Sequence, residues 1–108
     1  DDVLTISKEY FRLRKPIDRR IYELARKHCG KQPNWKISID LLHKKTGATM
    51  SIREFRRSIS SLIKSDVFPD YAIKFERTTD TVFFTNLDTE VQHKANIKAI
   101  RKLAKSIS

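Results

Sequence analysis

The chain has 108 residues, with 23 Lys and Arg against 13 Asp and Glu and a formal net charge of +10. An apolar content of 39% suffices for one hydrophobic core, which excludes a basic disordered tail, and only two Gly and three Pro exclude collagenous and linker-like chains. No apolar run approaches the roughly 20 residues of a membrane span, the single Cys29 can form no internal disulfide and suits a reducing, cytoplasmic setting, and so strong a positive charge predicts a polyanion partner.

The chain begins at Asp1 and Met50 is its only Met, so it reads as one domain, 1–108, excised from a longer protein, with no signal peptide, internal repeat or linker. Tyr10 to Arg14 suits either a strand or a turn of helix. From Pro16 to Cys29, Ile17, Ile21, Leu24 and Ala25 recur at helical spacing, Pro16 suits the first turn, and Arg26, Lys27 and His28 before Gly30 make a cationic end with a glycine stop. Trp35 and Ile37 alternate with Lys36 as a short extended segment. Ser38 then fits the N-cap of a short helix carrying Asp40, Leu41, Leu42, Lys44 and Lys45 and ended by Gly47.

The strongest local signal is Ser51-Ile52-Arg53-Glu54, a capping box flanked by Met50 and Phe55 at the positions of a hydrophobic staple. It predicts a helix from Ile52 to about Ser65 with Ile52, Phe55, Ile59, Leu62 and Ile63 on its apolar face. Tyr71 to Glu76 and Thr81 to Thr85 alternate as two strands of a hairpin joined by Arg77 to Asp80. Asp88 can cap a last helix whose stripe is Val91, Ala95, Ile100, Leu103, Ala104 and Ile107. Its Lys94, Lys98, Arg101, Lys102 and Lys105, with no acid after Glu90, read as the polar back of a packing helix in preference to a second phosphate surface.

Two helices joined by Gly47-Ala48-Thr49-Met50 have helix-turn-helix spacing, and the order helix, strand, helix, helix, strand, strand is that of a winged helix. The expected fold is α+β, a winged helix-turn-helix with a hairpin wing and an added C-terminal helix. At about 100° per residue, Arg53, Arg57, Ser60, Ser61 and Lys64 share the face opposite the core, with Ser51 at its start. Arg can donate two parallel hydrogen bonds to guanine O6 and N7, and Ser can reach a base edge or a phosphate oxygen. These six are the candidate base-reading set. Lys44, Lys45, Thr49 and Arg56, and on the wing Lys74, Arg77, Thr78 and Thr79, are the candidate phosphate contacts.

The stretch from Tyr10 through Pro16 to Gly30, with Trp35-Lys36-Ile37-Ser38 and Arg53-Glu54-Phe55-Arg56-Arg57, resembles the plasmid replication initiator protein A family over about Tyr10 to Asn86. The resemblance implies a RepA-like initiator that binds repeated sites in double-stranded DNA at a plasmid origin, helps open the duplex and recruits host replication proteins. It further implies that a second winged-helix domain lies elsewhere in the protein.

An enzyme is not expected. A nicking initiator would need a Tyr nucleophile and a His-apolar-His metal pair, whereas His28, His43 and His93 stand apart, and Tyr10, Tyr22 and Tyr71 read as core or surface aromatics. Cys29 beside His28 points about 100° away from it on a helix. With Gly30 and Gly47 alone there is no phosphate-binding loop for ATP. No cofactor, metal or membrane partner is called for. The alternatives are a dimerising or protein-interaction winged helix, and a transcriptional repressor using the same DNA chemistry.

Overall fold

Seven elements follow one another in the computed structural model, which describes residues 12–107 and the side chains through Lys105: α1 (Pro16–His28), β1 (Asn34–Ser38), α2 (Ile39–Thr46), α3 (Ile52–Ser65), β2 (Tyr71–Glu76), β3 (Thr81–Asn86) and α4 (Thr89–Ile107). The expected order and most expected boundaries are found. Tyr10 and Phe11 lie outside the described residues. Leu13, just after them, is buried.

The local signals act as their chemistry requires. Ser38 Oγ accepts from the Leu41 amide at 3.2 Å and Ser51 Oγ from the Glu54 amide at 3.2 Å, each satisfying an amide that has no partner within its helix. Gly47 closes α2 at φ +69°, the left-handed conformation that glycine adopts at least cost because it has no β-carbon, and its amide returns to Lys44 O. Asp88 Oδ1 caps α4 through the Glu90 amide.

The strands form one antiparallel sheet in the order β1-β3-β2, so the hairpin partner β3 is also the central strand. Alternation sorts its residues. Ile37, Val82, Phe84 and Tyr71 face the core, while Lys36 and Lys74 flank Phe83 on the outer face. Against the inner face α1 buries Ile21, Tyr22, Leu24 and Ala25, α2 buries Ile39 and Leu42, and α3 buries Phe55, Ile59 and Leu62. Each fully buried Ile, Leu or Phe contributes about 1.5–3 kcal/mol. Met50, at its staple position, is half-buried against this core. Leu41, expected to pack, is 47% exposed, because the inward position on α2 belongs to Ile39.

The expectation that α4 packs its apolar stripe requires correction. Val91 and Ala95 are half-buried, but every side chain from Asn96 to Lys105 is exposed, with Ile100 at 64% and Leu103 at 63%. The first turns are tied down: Gln92 Nε2 donates to Pro33 O and to Asn86 O, both at 2.8 Å. Helical periodicity predicts the stripe and leaves open whether another element lies on it.

Candidate nucleic-acid interface

α3 enters its first turn from a connection that is itself fixed. His43 Nε2 lies 2.7 Å from Met50 O, and its ring tilts onto Phe55 with 5.1 Å between centroids. Thr46 Oγ1 donates to His43 O at 2.7 Å and accepts from the Ala48 amide at 3.2 Å. Three backbone groups at the connection, His43 O, Met50 O and the Ala48 amide, are thus satisfied by side chains, and the angle between α2 and α3 is set by short bonds as well as by packing.

Along the outward side of α3, Arg57, Ser60, Ser61 and Lys64 form one wall of an open groove of about 610 Å³. The other wall comes from the hairpin, Phe75 of β2 and Arg77 of its turn. The groove therefore carries three cations from two elements. It also holds two hydroxyls and an aromatic floor, a combination that suits an elongated polyanion better than a compact apolar ligand.

Arg56, expected as a phosphate contact, lies at the inner edge of this groove and is paired within the protein. Its two terminal nitrogens donate to Oδ1 and Oδ2 of Asp80, each at 2.9 Å, a bidentate pair. The hydrogen bond and the charge of Asp80 raise the Arg56 pKa above its ordinary value, so the cation persists with two of its donors engaged by the hairpin turn. Asp80 is the last residue of the hairpin turn, at φ +50°, and its carbonyl accepts from the Ile39 amide at 2.9 Å. One residue therefore joins the hairpin turn to α3 by its side chain and to the start of α2 by its backbone.

The other candidates are spread around this centre. Arg53 is exposed near the start of α3, and the Ser51 hydroxyl is engaged in capping. Thr78 Oγ1 donates to Glu76 Oε1 at 3.0 Å, and Thr79 O accepts from Thr81 Oγ1 at 3.1 Å, so both threonines shape the turn. Lys74 stands on the outer face of the sheet, away from α3. Lys44 and Lys45 are exposed at the end of α2, where Lys45 O accepts from Arg20, and Thr49 lines a separate hollow beside Ile17 and Arg20.

His28 and Cys29 do not form a pair. The His28 ring stacks on Trp35 with 5.0 Å between centroids, and Trp35 stacks in turn on Phe84 at 5.0 Å. Desolvation, then Lys45 and Lys27, lower the His28 pKa. Cys29 is buried, its thiol donates to Gln32 O, and burial raises its pKa. Tyr22 and Tyr71 are core residues whose hydroxyls donate to Asp70 Oδ2 at 2.5 Å and to Gly30 O at 2.9 Å. Tyr10 lies outside the described residues. Among the described residues no group of three or more His, Cys, Asp and Glu could hold a metal, and no helix is long and apolar enough to cross a membrane.

Two residues that matter to this geometry carry little local signal. Asp80 suits a turn because Asp tolerates positive φ, yet its partner is 24 residues away. Asn86, the one buried polar side chain in the described core, holds the Gly30–Pro33 loop by donating to Gly30 O and Gln32 O.

These features define a basic α+β domain with a cationic groove between a capped helix and a hairpin. The chain belongs to the replication initiator protein A family, whose model matches residues 1–73. It is 45% identical over 83 residues, 77% of its length, to a protein of Wigglesworthia glossinidia brevipalpis named "Putative replication protein", and it spans 30% of that relative's length. No solved structure matches it.

Proposed function

We propose that the chain is a non-enzymatic winged-helix domain of a plasmid replication initiator that binds repeated double-stranded sites at the origin. The observation that carries this reading is the groove shared by α3 and the hairpin. Arg57, Ser60, Ser61 and Lys64 stand on the side of α3 that a major groove would receive, and Arg77 projects from the turn that would lie along the adjoining backbone. Arg53 extends the base-reading face toward the helix start. In this reading Arg56 positions the wing and does not touch phosphate, while Thr78 and Thr79 shape its turn.

Duplex opening, recruitment of host replication proteins and action in the bacterial cytoplasm at a plasmid origin belong to the initiator as a whole, to which this domain would contribute the address. Titration of the chain in a gel-shift assay against origin repeats and against scrambled duplex of equal length tests the reading. Tighter binding to the repeats at physiological salt is expected, and equal affinity for both would remove sequence-specific recognition. A repressor would pass the same assay and is separated from an initiator by whether its site sits in an origin or a promoter.

A second reading, a dimerisation or protein-docking module, is favoured by the exposed Ile97, Ile100 and Leu103 of α4. Sedimentation of the chain separates the two. A stable dimer with negligible DNA affinity at about 150 mM salt would support the docking module over the DNA-binding domain.

A further inference from the structure

We propose a second DNA-binding surface, the groove between α4 and the Lys31–Pro33 loop, which grips the sugar-phosphate backbone without regard to base sequence. It uses the ligand class of the reading above but none of its residues. The register places it at the other end of the sheet from the hairpin turn, since α4 follows the strand end where Tyr71 pairs with Asn86, whereas the turn closes Glu76 on Thr81. Six strand residues, about 20 Å, separate the two ends.

Two features argue for a binding surface over a solvated helix face. The first is charge in a repeating geometry: Lys94, Lys98 and Lys102 recur every four residues along one wall, and Lys31 stands on the opposite wall. At 1.5 Å rise per residue the ladder steps by about 6 Å and spans about 12 Å. A DNA strand presents a phosphate every 3.4 Å of duplex axis, so this span faces several phosphates of one strand. The floor between the walls is Val91, Ala95 and Ala99, small enough for a backbone to approach closely. The two acids at the mouth, Asp88 and Glu90, belong to the start of α4, and the Asp88 carboxylate is engaged in capping.

The second feature is that the two walls are joined at their base before any ligand arrives. Asn86 donates from Nδ2 to Gly30 O at 3.0 Å and Gln32 O at 3.1 Å, and its amide donates to Pro33 O at 2.9 Å. Gln92 of α4 donates to Pro33 O at 2.8 Å and to Asn86 O at 2.8 Å. The loop bearing Lys31 and the base of the lysine ladder are thus held in one frame, so a polyanion meets the Lys31–Lys94 end of the groove already in place.

The test uses the whole chain and a scrambled duplex, with affinity measured by fluorescence anisotropy over a salt series. Lys94→Gln with Lys98→Gln should weaken binding several-fold and reduce the slope of log K against log salt by about two, because each lost phosphate contact removes about 0.9. The control Lys27→Gln with Lys36→Gln removes the same net charge from exposed positions outside both grooves and should leave the slope nearly unchanged. Equal slopes for the two double variants would overturn the proposal, since bulk charge would then account for the effect. Lysine acetylation footprinting gives an independent reading: duplex should protect Lys94 and Lys98, and their full labelling in the complex would also overturn it. The preference for origin repeats over scrambled duplex should survive in the Lys94→Gln, Lys98→Gln variant, so failure of the α3 reading shows as lost preference and failure of this one as an unchanged slope.

Discussion

Arg57 and Arg56 are neighbours in sequence with opposite duties. Arg57 faces the open groove, and its removal should cost about 1–3 kcal/mol of discrimination at one base pair while leaving scrambled-duplex binding little changed. Competition titrations with single-base variants of a repeat check this, and an Arg57→Ala protein that keeps full discrimination would move base reading off this face. His28 offers a pH-dependent measurement. Its folded pKa lies below the ordinary value of about 6.5, so the unfolded chain takes up the proton more readily, and the His28 contribution is full above about 6.5 and falls as pH drops toward the folded value. Trp35 is the only Trp and stacks directly on this ring. Its emission and the thermal midpoint should both fall between about pH 7 and 5, and His28→Gln should remove that part of the pH dependence.

Among the elements, α3 was the most legible, because its start depends on residues three apart. The Ser51 cap and the spacing of Phe55, Ile59 and Leu62 act within one or two turns and need no knowledge of the rest of the fold. Ser51→Ala should therefore cost about 1 kcal/mol in denaturant unfolding, and Ser51→Asp should recover it. The hairpin's attachment was not legible. Asp80 meets Arg56 across 24 residues and Tyr22 meets Asp70 across 48, and a side chain's own neighbourhood does not encode such partners. The site divides in the same way: Arg57, Ser60, Ser61, Lys64 and Arg77 share one groove, whereas Lys74 follows strand alternation to the far face of the sheet. If Asp80 sets where the turn lies, Arg77→Ala should weaken DNA binding less in an Asp80→Asn background than alone. A double-mutant cycle measures this coupling, and additive effects would reduce the Arg56–Asp80 pair to a surface contact.

For the molecule as a whole, part of the net charge of +10 is presented in two grooves at opposite ends of one sheet, and α3 itself carries four bases against one acid. Composition indicates a polyanion partner, but only the fold shows where the charge is presented. α4 shows the same limit from the other side. Its amphipathic spacing was plain, yet the turns beyond Ala95 lie on no other described element. A helix segment of about twelve residues without tertiary support is marginal in water. Amides from Asn96 onward should accordingly exchange with solvent at rates near those of a helix-coil equilibrium, while those of β3 exchange only on global opening. Hydrogen exchange by mass spectrometry, with and without scrambled duplex, checks this. Phosphates seated along the lysine ladder would slow exchange in that stretch, so the outer half of α4 would spend part of its binding free energy on its own folding and gain order as DNA occupies it.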